Sequence, residues 1–223
     1  MHIAVVIPVL NERAHLPEAL ARLAPYVRLG GQVILVDGGS TDGTPALAEQ
    51  LGFSVIQSAP GRAKQMNAGA GHSAGDVLLF LHIDTHLPEA WPQQVAASLN
   101  GLHCWGRFDV RITGQSSLLT MVAWMMNLRS RYSGIATGDQ AMFMTRDAFN
   151  RVGGFPDQPL MEDIEMSKRL KALSRPACLT DKVTTSGRRW ERQGVWTTIF
   201  LMWRLRFAYW RGHSASHMAK DYQ

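Results

Sequence analysis

Residues 77–81 form an unbroken apolar run, Val-Leu-Leu-Phe-Leu, which ends abruptly in His82-Ile83-Asp84. A run of this kind is typical of a strand that is buried on both faces, as in a parallel sheet. Residues two apart in an extended segment point to the same side, so we expect His82 and Asp84 to face one site. Ligands bind beyond the carboxyl ends of the strands in open α/β sheets. The stretch therefore predicts a ligand site, with an ordinary polar turn as the alternative.

Apolar runs and helical segments alternate in the first part of the chain. The predicted strands there are residues 2–7, 33–36, 53–57 and 77–81. Such alternation is typical of a parallel sheet whose strands are joined by right-handed helical crossovers. Beyond Pro88 the pattern changes, and it predicts helices at 91–99, 118–126 and 162–173, strands at 104–112 and 141–144, and a helix after Gly194. The alternating apolar residues of 104–112 indicate an antiparallel or edge strand.

Charge and cysteine content narrow the classes of partner and compartment. The net charge is +5, and Lys and Arg crowd the last third of the sequence. This favours an anionic partner, such as a phosphorylated small molecule or a membrane surface. Nucleic acid ranks last, because no nucleic-acid-binding motif is present. Two distant cysteines, no leader-like N-terminus and no apolar run of the ~20 residues that a membrane span needs predict a reduced, cytoplasmic protein.

Polar loops follow the predicted strands and should meet at one edge of the sheet. Pro8-Val9-Leu10-Asn11-Glu12 follows the first strand, and the second ends in a loop over residues 37–43, where Ser40, Thr41 and Asp42 are good N-cap types. If residues 61–70 are helical, Arg62 and Gln65 share a face at its start. A cation and an amide at a helix N-terminus suit a diphosphate, whereas the alternative is a solvated surface turn.

Taken together, these loops and the downstream Glu162-Asp163 pair resemble the family 2 glycosyltransferases, inverting enzymes of the GT-A fold. The resemblance covers about residues 1–175. Residues 61–67, 81–85 and 138–140 are more narrowly similar to a small bacterial subgroup often labelled arsenosugar-biosynthesis glycosyltransferase. The resemblance implies a three-layer α/β/α sandwich with a mixed, largely parallel sheet. It implies one domain over 1–223, with a nucleotide-binding half (1–88), an acceptor half (89–193) and a C-terminal aromatic and basic helix (194–223).

The resemblance also implies a UDP- or GDP-sugar donor and a divalent cation, Mn²⁺ or Mg²⁺, beside its diphosphate. A cation and positioned hydrogen-bond donors stabilise the charge that grows on the leaving phosphates. Asp37 would bind the base or ribose, and Asp84 takes the last position of the family's Asp-x-Asp metal motif. His82 departs from that motif and either ligates the metal or packs beside the ribose. The implied donor-binding residues are Pro8, Asn11, Glu12, Asp37, Gly38, Arg62, Gln65, Asn67, His82 and Asp84.

On the acceptor side, the resemblance implies that Asp163 is the general base and that Glu162 orients it or contacts the acceptor. An inverting transfer needs such a base opposite the leaving group to take the proton of the acceptor hydroxyl. Asp139 and Gln140 would line the acceptor pocket, with a turn carboxylate as the alternative for Asp139. Arg188 and Arg189 are candidates to reach the donor phosphates, and His213 and His217 are candidates for a late metal ligand.

Two other classes of protein remain open at the level of sequence. A nucleotidyltransferase shares a nucleotide-binding α/β core, but it usually carries a Gly-rich basic loop after the first strand, where this chain has Pro8-Val9-Leu10-Asn11-Glu12. A non-catalytic module that binds a nucleotide-sugar is favoured by the loss of the first Asp of the metal motif. Retention of Asp84, Asp163 and Arg62 argues against a dead site.

The helix after Gly194 carries a stripe of large apolar residues at helical spacing. The stripe consists of Trp196, Ile199, Phe200, Trp203, Phe207 and Trp210. A monomer seldom leaves so much aromatic surface uncovered. The sequence leaves three covers open for residues 194–212: the core of the protein itself, a second copy in a homodimer, or the surface of a bilayer, where Trp and Arg suit the headgroup region.

Overall fold

The structure, a computed structural model, describes residues 1–212 and 215, apart from the side chain of Arg189. Its strands are β1 (Ile3–Val9), β2 (Gln32–Asp37), β3 (Ser54–Gln57), β4 (Val77–Phe80), β5 (Thr85–His86), β6 (Trp105–Thr113), β7 (Phe143–Thr145) and β8 (Ala177–Ser186). Its α-helices are α1 (Leu16–Arg28), α2 (Thr44–Gln50), α3 (Arg62–His72), α4 (Trp91–Ser98), α5 (Leu118–Ser133), α6 (Arg146–Arg151), α7 (Glu162–Lys171), α8 (Arg188–Gln193) and α9 (Val195–Trp210), and Gly138–Gln140 form a 3₁₀ turn.

All the strands join one sheet in the order β3-β2-β1-β4-β7-β6-β8-β5. The first four are parallel, as the alternation of strands and helices predicts. Strand β7 is antiparallel to both β4 and β6, which makes the second half of the sheet mixed. The prediction for β6 left two options: the antiparallel one is confirmed by its pairing with β7, and the edge position is wrong, because β6 lies between β7 and β8. The sequence analysis missed β8, whose middle carries the charged residues Asp181 and Lys182 in place of an alternating apolar pattern.

Helices cover both faces of the sheet and confirm the predicted three-layer sandwich. Strand β1 shows how the sequence specifies this, since Val5 and Ile7 pack into one apolar cluster and Ala4 and Val6 into another. The first cluster includes side chains of α1, α4 and α5, and the second includes side chains of α3, α6 and α7. A strand buried on both faces needs apolar residues at every position, which is why the run of residues 3–7 is continuous.

Two helix boundaries differ from the expectation. Helix α2 has Gly43 as its N-cap, in the left-handed conformation, in place of Ser40, Thr41 or Asp42. Asp42 still serves this helix end, because its Oδ1 accepts hydrogen bonds from the backbone N–H and the hydroxyl of Thr44. Helix α5 runs on to Ser133 before it ends at Gly134, whereas the apolar pattern had suggested an end near Met126.

Helix α9 forms where predicted, but it packs with a different face. Leu205 and Thr198 are buried, and Leu205 joins a small apolar cluster with Met161 and Ile164 at the start of α7. Of the three covers that the sequence leaves open for the stripe, the protein's own core is excluded, because five residues stay more than half exposed: Trp196, Phe200, Trp203, Phe207 and Trp210. Within residues 1–212, no helix combines the length and the apolarity needed to cross a bilayer.

The packing of α9 predicts opposite outcomes for two neighbouring truncations. Leu205 is 1% exposed and Trp203 is 56% exposed. Leu205→Ala should lower the free energy of unfolding by about 2–5 kcal/mol, because it opens a cavity in a packed cluster. Trp203→Ala should change it by less than about 0.5 kcal/mol. Urea denaturation of the two variants measures both values, and a larger loss for Trp203→Ala would mean that the stripe is the buried face.

Candidate active site

The carboxyl ends of β1, β2 and β4 meet at one edge of the sheet. Val9 at the end of β1 is level with Asp37 at the end of β2, and Phe80 at the end of β4 is paired with Val6 of β1. Asp37 and Asp84 therefore lie beyond the same edge, as a ligand site at the strand ends requires.

The buried carboxylate of Asp37 has one oxygen in use and one without a partner. Its Oδ2 accepts hydrogen bonds from the backbone N–H groups of Gly39 (2.9 Å) and Ser40 (3.0 Å), which fixes the turn after β2. Its Oδ1 is buried and has no hydrogen-bond partner in the part of the chain that the structure describes. An unpartnered acceptor at a strand end is costly unless a ligand donates to it.

The loop after β1 is locked to the loop after β2. The backbone N–H of Asn11 donates to Ser40 Oγ, and Asn11 Oδ1 accepts from the N–H of Thr41, both at 2.8 Å. The N–H of Glu12 donates to Thr44 Oγ1 at 2.9 Å. Asn11 itself has a φ of 55°, a left-handed conformation that costs energy for a residue with a side chain. The reciprocal side-chain bonds hold it there.

A cluster of alternating charges lies between the first loop and β8. An Arg188 Nη atom is 4.0 Å from Asp84 Oδ2, and its guanidinium also contacts the ring of His15. His15 is 4.0 Å from Glu12, whose pKa is raised by burial. Asp84, Arg188 and His15 border an open cleft of about 770 Å³. The structure thus places Arg188 beside Asp84.

His82 and Asp84 do not face one site, because the chain stops being extended after Phe80. A turn follows, with the N–H of Thr85 donating to the carbonyl of His82 at 3.0 Å. His82 Nδ1 lies 3.3 Å from Asp139, and the ring packs so tightly on Gly138 that a side chain there would collide with it. Asp84 instead approaches Arg188 across the open cleft. The prediction that His82 and Asp84 face one site is therefore wrong, because it required an extended strand through Asp84.

This separation limits what the residues can offer to a divalent metal. In the described residues, no three His, Cys, Asp or Glu side chains gather closely enough to hold an ion. The paired set of His82 and Asp84 therefore does not fit a metal, and His213 and His217 lie outside the described residues. A single carboxylate is enough for Mg²⁺ when substrate phosphates and water supply the other oxygens. Asp84 fits that arrangement, since it borders the cleft beside Arg188.

A second, smaller pocket gathers the acceptor-side carboxylates at the start of α7. Pro8, Arg62, His82, Glu162 and Asp163 all line it. Glu162 is buried, and its carboxylate lies 3.8 Å from the guanidinium of Arg62. Burial, reinforced by the negative charge of Asp163, raises the pKa of Glu162 above its ordinary 4.5. A carboxyl group with a raised pKa in a pocket is a common sign of a functional site.

Asp163 faces the turn that contains Asp139 and Gln140. Its Oδ2 accepts a hydrogen bond from the N–H of Gly138 at 3.0 Å, and its Oδ1 accepts from the N–H of Ile164 at 2.7 Å. Met161, just before Glu162, has a φ of 65°, which turns the helix start toward the pocket. Gln140 is fully buried, and its amide nitrogen donates to the carbonyl of Phe108. Asp139 therefore lies on the turn that Asp163 contacts, whereas Gln140, expected to line a pocket with it, is buried beneath that turn and does not reach the surface.

Gln65 and Asn67 are placed behind the site, where they organise the backbone. Gln65 Nε2 donates to the carbonyl oxygens of Val9 and Val36, both at 2.8 Å, and the side chain fills the space beside Gly38. Asn67 pairs with both backbone groups of Phe155. Arg62, on the exposed start of α3, lines the pocket together with Met66 of the same helix.

Sequence reasoning missed two arginines near Asp163. Arg129 of α5 and Arg206 of α9 both feel the charge of Asp163, although they are far apart in sequence. Burial lowers the pKa of both guanidinium groups, that of Arg129 to about 10. A charged residue inside an aromatic helix, as at Arg206, was the available signal. The site that Arg206 approaches is determined by tertiary packing, which the sequence pattern of α9 does not reveal.

The edge carries an unpartnered carboxylate after β2, loops locked together after β1 and β2, and a buried carboxylate pair across a pocket. These features define a nucleotide-sugar transferase site of the GT-A architecture. The family model for "Glycosyl transferase family 2" matches residues 4–152, and the chain belongs to that family.

Relatives and solved structures agree with this class. The chain is 34% identical to an undecaprenyl-phosphate 4-deoxy-4-formamido-L-arabinose transferase of Klebsiella pneumoniae over 61% of the chain and 46% of the relative. It therefore spans about half the length of that relative. S. aureus TarS in complex with UDP-GlcNAc (TM-score 0.67, 21% identity, 83% of the chain and 58% of TarS) shares the fold. The Pyrobaculum calidifontis mannosyltransferase PcManGT in complex with GDP-Man and Mn²⁺ also shares the fold (TM-score 0.66, 18% identity, 93% of the chain and 61% of PcManGT). These similarities confirm the predicted GT-A fold.

The raised pKa of Glu162 predicts a pH-dependent cost to stability. Its neutral form is favoured in the folded state, so the stability it adds is fully present below about 4.5 and is lost as pH rises through the raised pKa. Glu162→Gln keeps a neutral amide at every pH. The variant should melt at a higher temperature than wild type near neutral pH, by about 2–4 °C for each ~1 kcal/mol relieved.

Melting curves at about pH 4 and about pH 7.5 test this, because the side chain is mostly neutral in the unfolded chain at the lower pH and charged there at the higher pH. Glu49→Gln, on the exposed face of α2, is the matched control and should melt like wild type at both pH values. A Glu162→Gln variant that is destabilised near neutral pH would show that the ion pair with Arg62 outweighs the burial of Glu162.

Proposed function

We propose that this chain is an inverting glycosyltransferase that moves a sugar from a nucleoside-diphosphate sugar to an acceptor hydroxyl. The observation that carries the proposal is the convergence of Arg62 and the Glu162-Asp163 pair on one pocket at the strand edge. A cation on the donor side and a carboxylate pair on the acceptor side are the groups that such a displacement needs. A nucleotidyltransferase would not need the carboxylate pair.

The donor is proposed to be a UDP- or GDP-sugar, held by the loops after β1 and β2. The free Oδ1 of Asp37 suits an N–H of the base or a ribose hydroxyl, since both donate hydrogen bonds. Asn11 and Glu12 line the same region through the bonds that lock the two loops. UDP-GlcNAc and GDP-Man in the solved relatives support this class of donor.

A divalent cation, Mn²⁺ or Mg²⁺, is proposed to bind Asp84 together with the donor diphosphate. When bound there, it would neutralise charge on the leaving phosphates. The Mn²⁺ named with PcManGT supports this assignment. His82 is left to orient Asp139, because its ring lies against that carboxylate and Gly138. Arg188 and Arg62 supply positive charge to the diphosphate from the protein itself.

Asp163 is proposed to be the general base that takes the proton of the acceptor hydroxyl. Two backbone N–H groups donate to its carboxylate and so orient it. Glu162 lies between Asp163 and Arg62, so it links the acceptor side to the donor side. The hydroxyl oxygen attacks the anomeric carbon, and the bond to the diphosphate breaks as the proton moves to Asp163.

Asp163→Asn tests the assignment of the base. The amide keeps the shape of the side chain and removes its basicity, so turnover should fall by at least ~10²-fold with donor affinity retained. Sugar release from a panel of UDP- and GDP-sugars and calorimetric titration with UDP and GDP give the two numbers. Asp147→Asn, exposed on α6, is the control with unchanged turnover. An active Asp163→Asn and an inactive Glu162→Gln would exchange the two roles.

Asp84→Ala tests the proposed cation contact. UDP or GDP affinity in Mn²⁺ should fall to the value that wild type shows without the metal, while the melting temperature stays unchanged because the residue lies beyond the strand. Calorimetric titration with and without Mn²⁺ measures the effect. His82→Ala should keep the metal-dependent part of the affinity. Loss of that part in His82→Ala together with an unaffected Asp84→Ala would contradict the assignment.

The acceptor and the cellular location extend the same proposal. The transferase of Klebsiella pneumoniae carries undecaprenyl phosphate in its name, which supports a membrane-linked acceptor for this chain. We place the reaction at the cytoplasmic face of a membrane. The exposed stripe of α9, within residues 194–212, would then contact the bilayer or a second copy of the chain.

A further inference from the structure

Arg129 presents hydrogen-bond donors that no group in the described part of the chain satisfies. Its Nε and Nη2 atoms are buried and have no partner among the described residues. The hydroxyl of the neighbouring Ser130 is also buried and unpartnered. Burial and the nearby positive charge of Arg206 both lower the pKa of Arg129, yet at about 10 the side chain remains charged near neutral pH. Buried donors of a charged group normally have partners.

Arg206 reaches the same place from the other side. Leu205, its neighbour in α9, packs against Met161 and Ile164, which flank the Glu162-Asp163 pair. Arg206 is attracted by Asp163 and Asp139 and is largely buried. Two guanidinium groups therefore converge on the acceptor side, where like charges repel. Asp163 offsets part of that repulsion, and an anion with several acceptor oxygens would offset more of it.

The outer faces of the same two helices are apolar. Helix α5 exposes a stripe at helical spacing, which consists of Met121, Trp124, Met125, Leu128 and Tyr132. Helix α9 exposes five aromatic residues, as described above. Residues 110–138 and 195–212 contain no Asp or Glu, and their only charged residues are arginines. Apolar and basic side chains without carboxylates suit the headgroup region of an anionic bilayer.

We propose that Arg129 and Arg206 bind the phosphate group of an anionic lipid acceptor, which reaches them from a bilayer that the exposed faces of α5 and α9 contact. This inference rests on the proposed function, because it places the anion next to the base. The lipid's apolar part stays in the bilayer, and its phosphate meets the unpartnered donors of Arg129. Both the buried cations and the exposed stripes then have partners.

A second copy of the chain fits this surface less well than a bilayer does. A twofold interface brings the same patch of each subunit together. The arginines of α5 and α9 would then face one another without any carboxylate of these segments to pair with. An anionic bilayer offers the opposite charge to every arginine along the surface.

The first test is co-sedimentation with vesicles, which needs neither donor nor turnover. Wild type should bind phosphatidylcholine vesicles that contain phosphatidic acid, bind pure phosphatidylcholine far less, and dissociate as salt is raised. Trp203→Glu and Trp124→Glu should both lose binding. Leu29→Glu, at an exposed apolar residue after α1, is the matched control and should bind like wild type.

The second test removes the anion site itself. Arg129→Gln and Arg206→Gln should each weaken binding to the phosphatidic acid vesicles by about fivefold, the value expected for one arginine at an anionic surface. Arg151→Gln, an exposed arginine on α6, should leave binding unchanged. The melting temperature distinguishes this role from a purely structural one, because loss of a structural arginine would lower it. Without vesicles, both variants should melt at or above the wild-type temperature, because each removes a poorly compensated buried charge.

Three results would overturn the inference. Lowered melting temperatures in both arginine variants would make these residues structural. Stabilisation of wild type by inorganic phosphate without any vesicle binding would make a free anion the ligand instead of a lipid. A folded Trp203→Glu protein of halved mass by light scattering would mean that a second copy covers the surface. A different result concerns the proposed function: if the chain binds vesicles but transfers no sugar, the proposed function is overturned, whereas the anion site formed by Arg129 and Arg206 still stands.

Discussion

The two hydrogen bonds that Gln65 donates to the carbonyl oxygens of Val9 and Val36 hold the donor side of the molecule together. Neighbouring parallel strands lose their mutual hydrogen bonds where they end, and both loops of the nucleotide region begin there. The N–H of Gly38 still donates to the carbonyl oxygen of Val9 at 3.0 Å, and the buried amide of Gln65 adds a donor at 2.8 Å to each strand. Asp37 directly follows Val36, so Gln65 helps to position its carboxylate. A Cβ at Gly38 would lie 3.0 Å from the amide of Gln65, so a side chain there would press against it.

The sequence predicted the donor half well because its signals are local. A continuous apolar run predicts a strand buried on both faces, and each such strand from β1 to β4 formed near its expected residues. Parallel pairing then determines that loops after these strands share an edge, whatever their detailed conformation. The meeting of Asp37, Asp84 and Arg62 at that edge therefore followed from strand order. The role of Gln65 did not, because a helical face at the start of α3 does not reveal which carbonyl groups lie beneath it.

The acceptor half was less predictable because its contacts come from distant segments. Strand β8 pairs with β6 across a bulge after Phe108, and its charged middle hides the strand pattern. The separation of His82 from Asp84 depends on a turn that one hydrogen bond to Thr85 closes. The stripe on α9 was recognised, but the sequence left open whether the protein's own core, a second copy or a bilayer covers it. The buried face of α9 is the one on which Leu205 contacts Met161 and Ile164. A helical pattern within α9 cannot reveal these distant partners.

The energetically unfavourable features of the folded protein are unevenly distributed. Few of them lie where the nucleotide-sugar is proposed to bind, and more lie where the acceptor is proposed to bind. On the donor side, backbone hydrogen bonds already fix the loops, and the left-handed Asn11 is held by reciprocal bonds with Ser40 and Thr41. A donor thus meets a preformed site, which lowers the ordering cost of binding. On the acceptor side, Glu162 is buried with a raised pKa and Arg129 lacks partners. Arg62 offsets part of the charge of Glu162, and Asp163 offsets part of the charge of Arg129. Under the proposed function, an anionic acceptor would give the donors of Arg129 the acceptor atoms that the described residues do not supply.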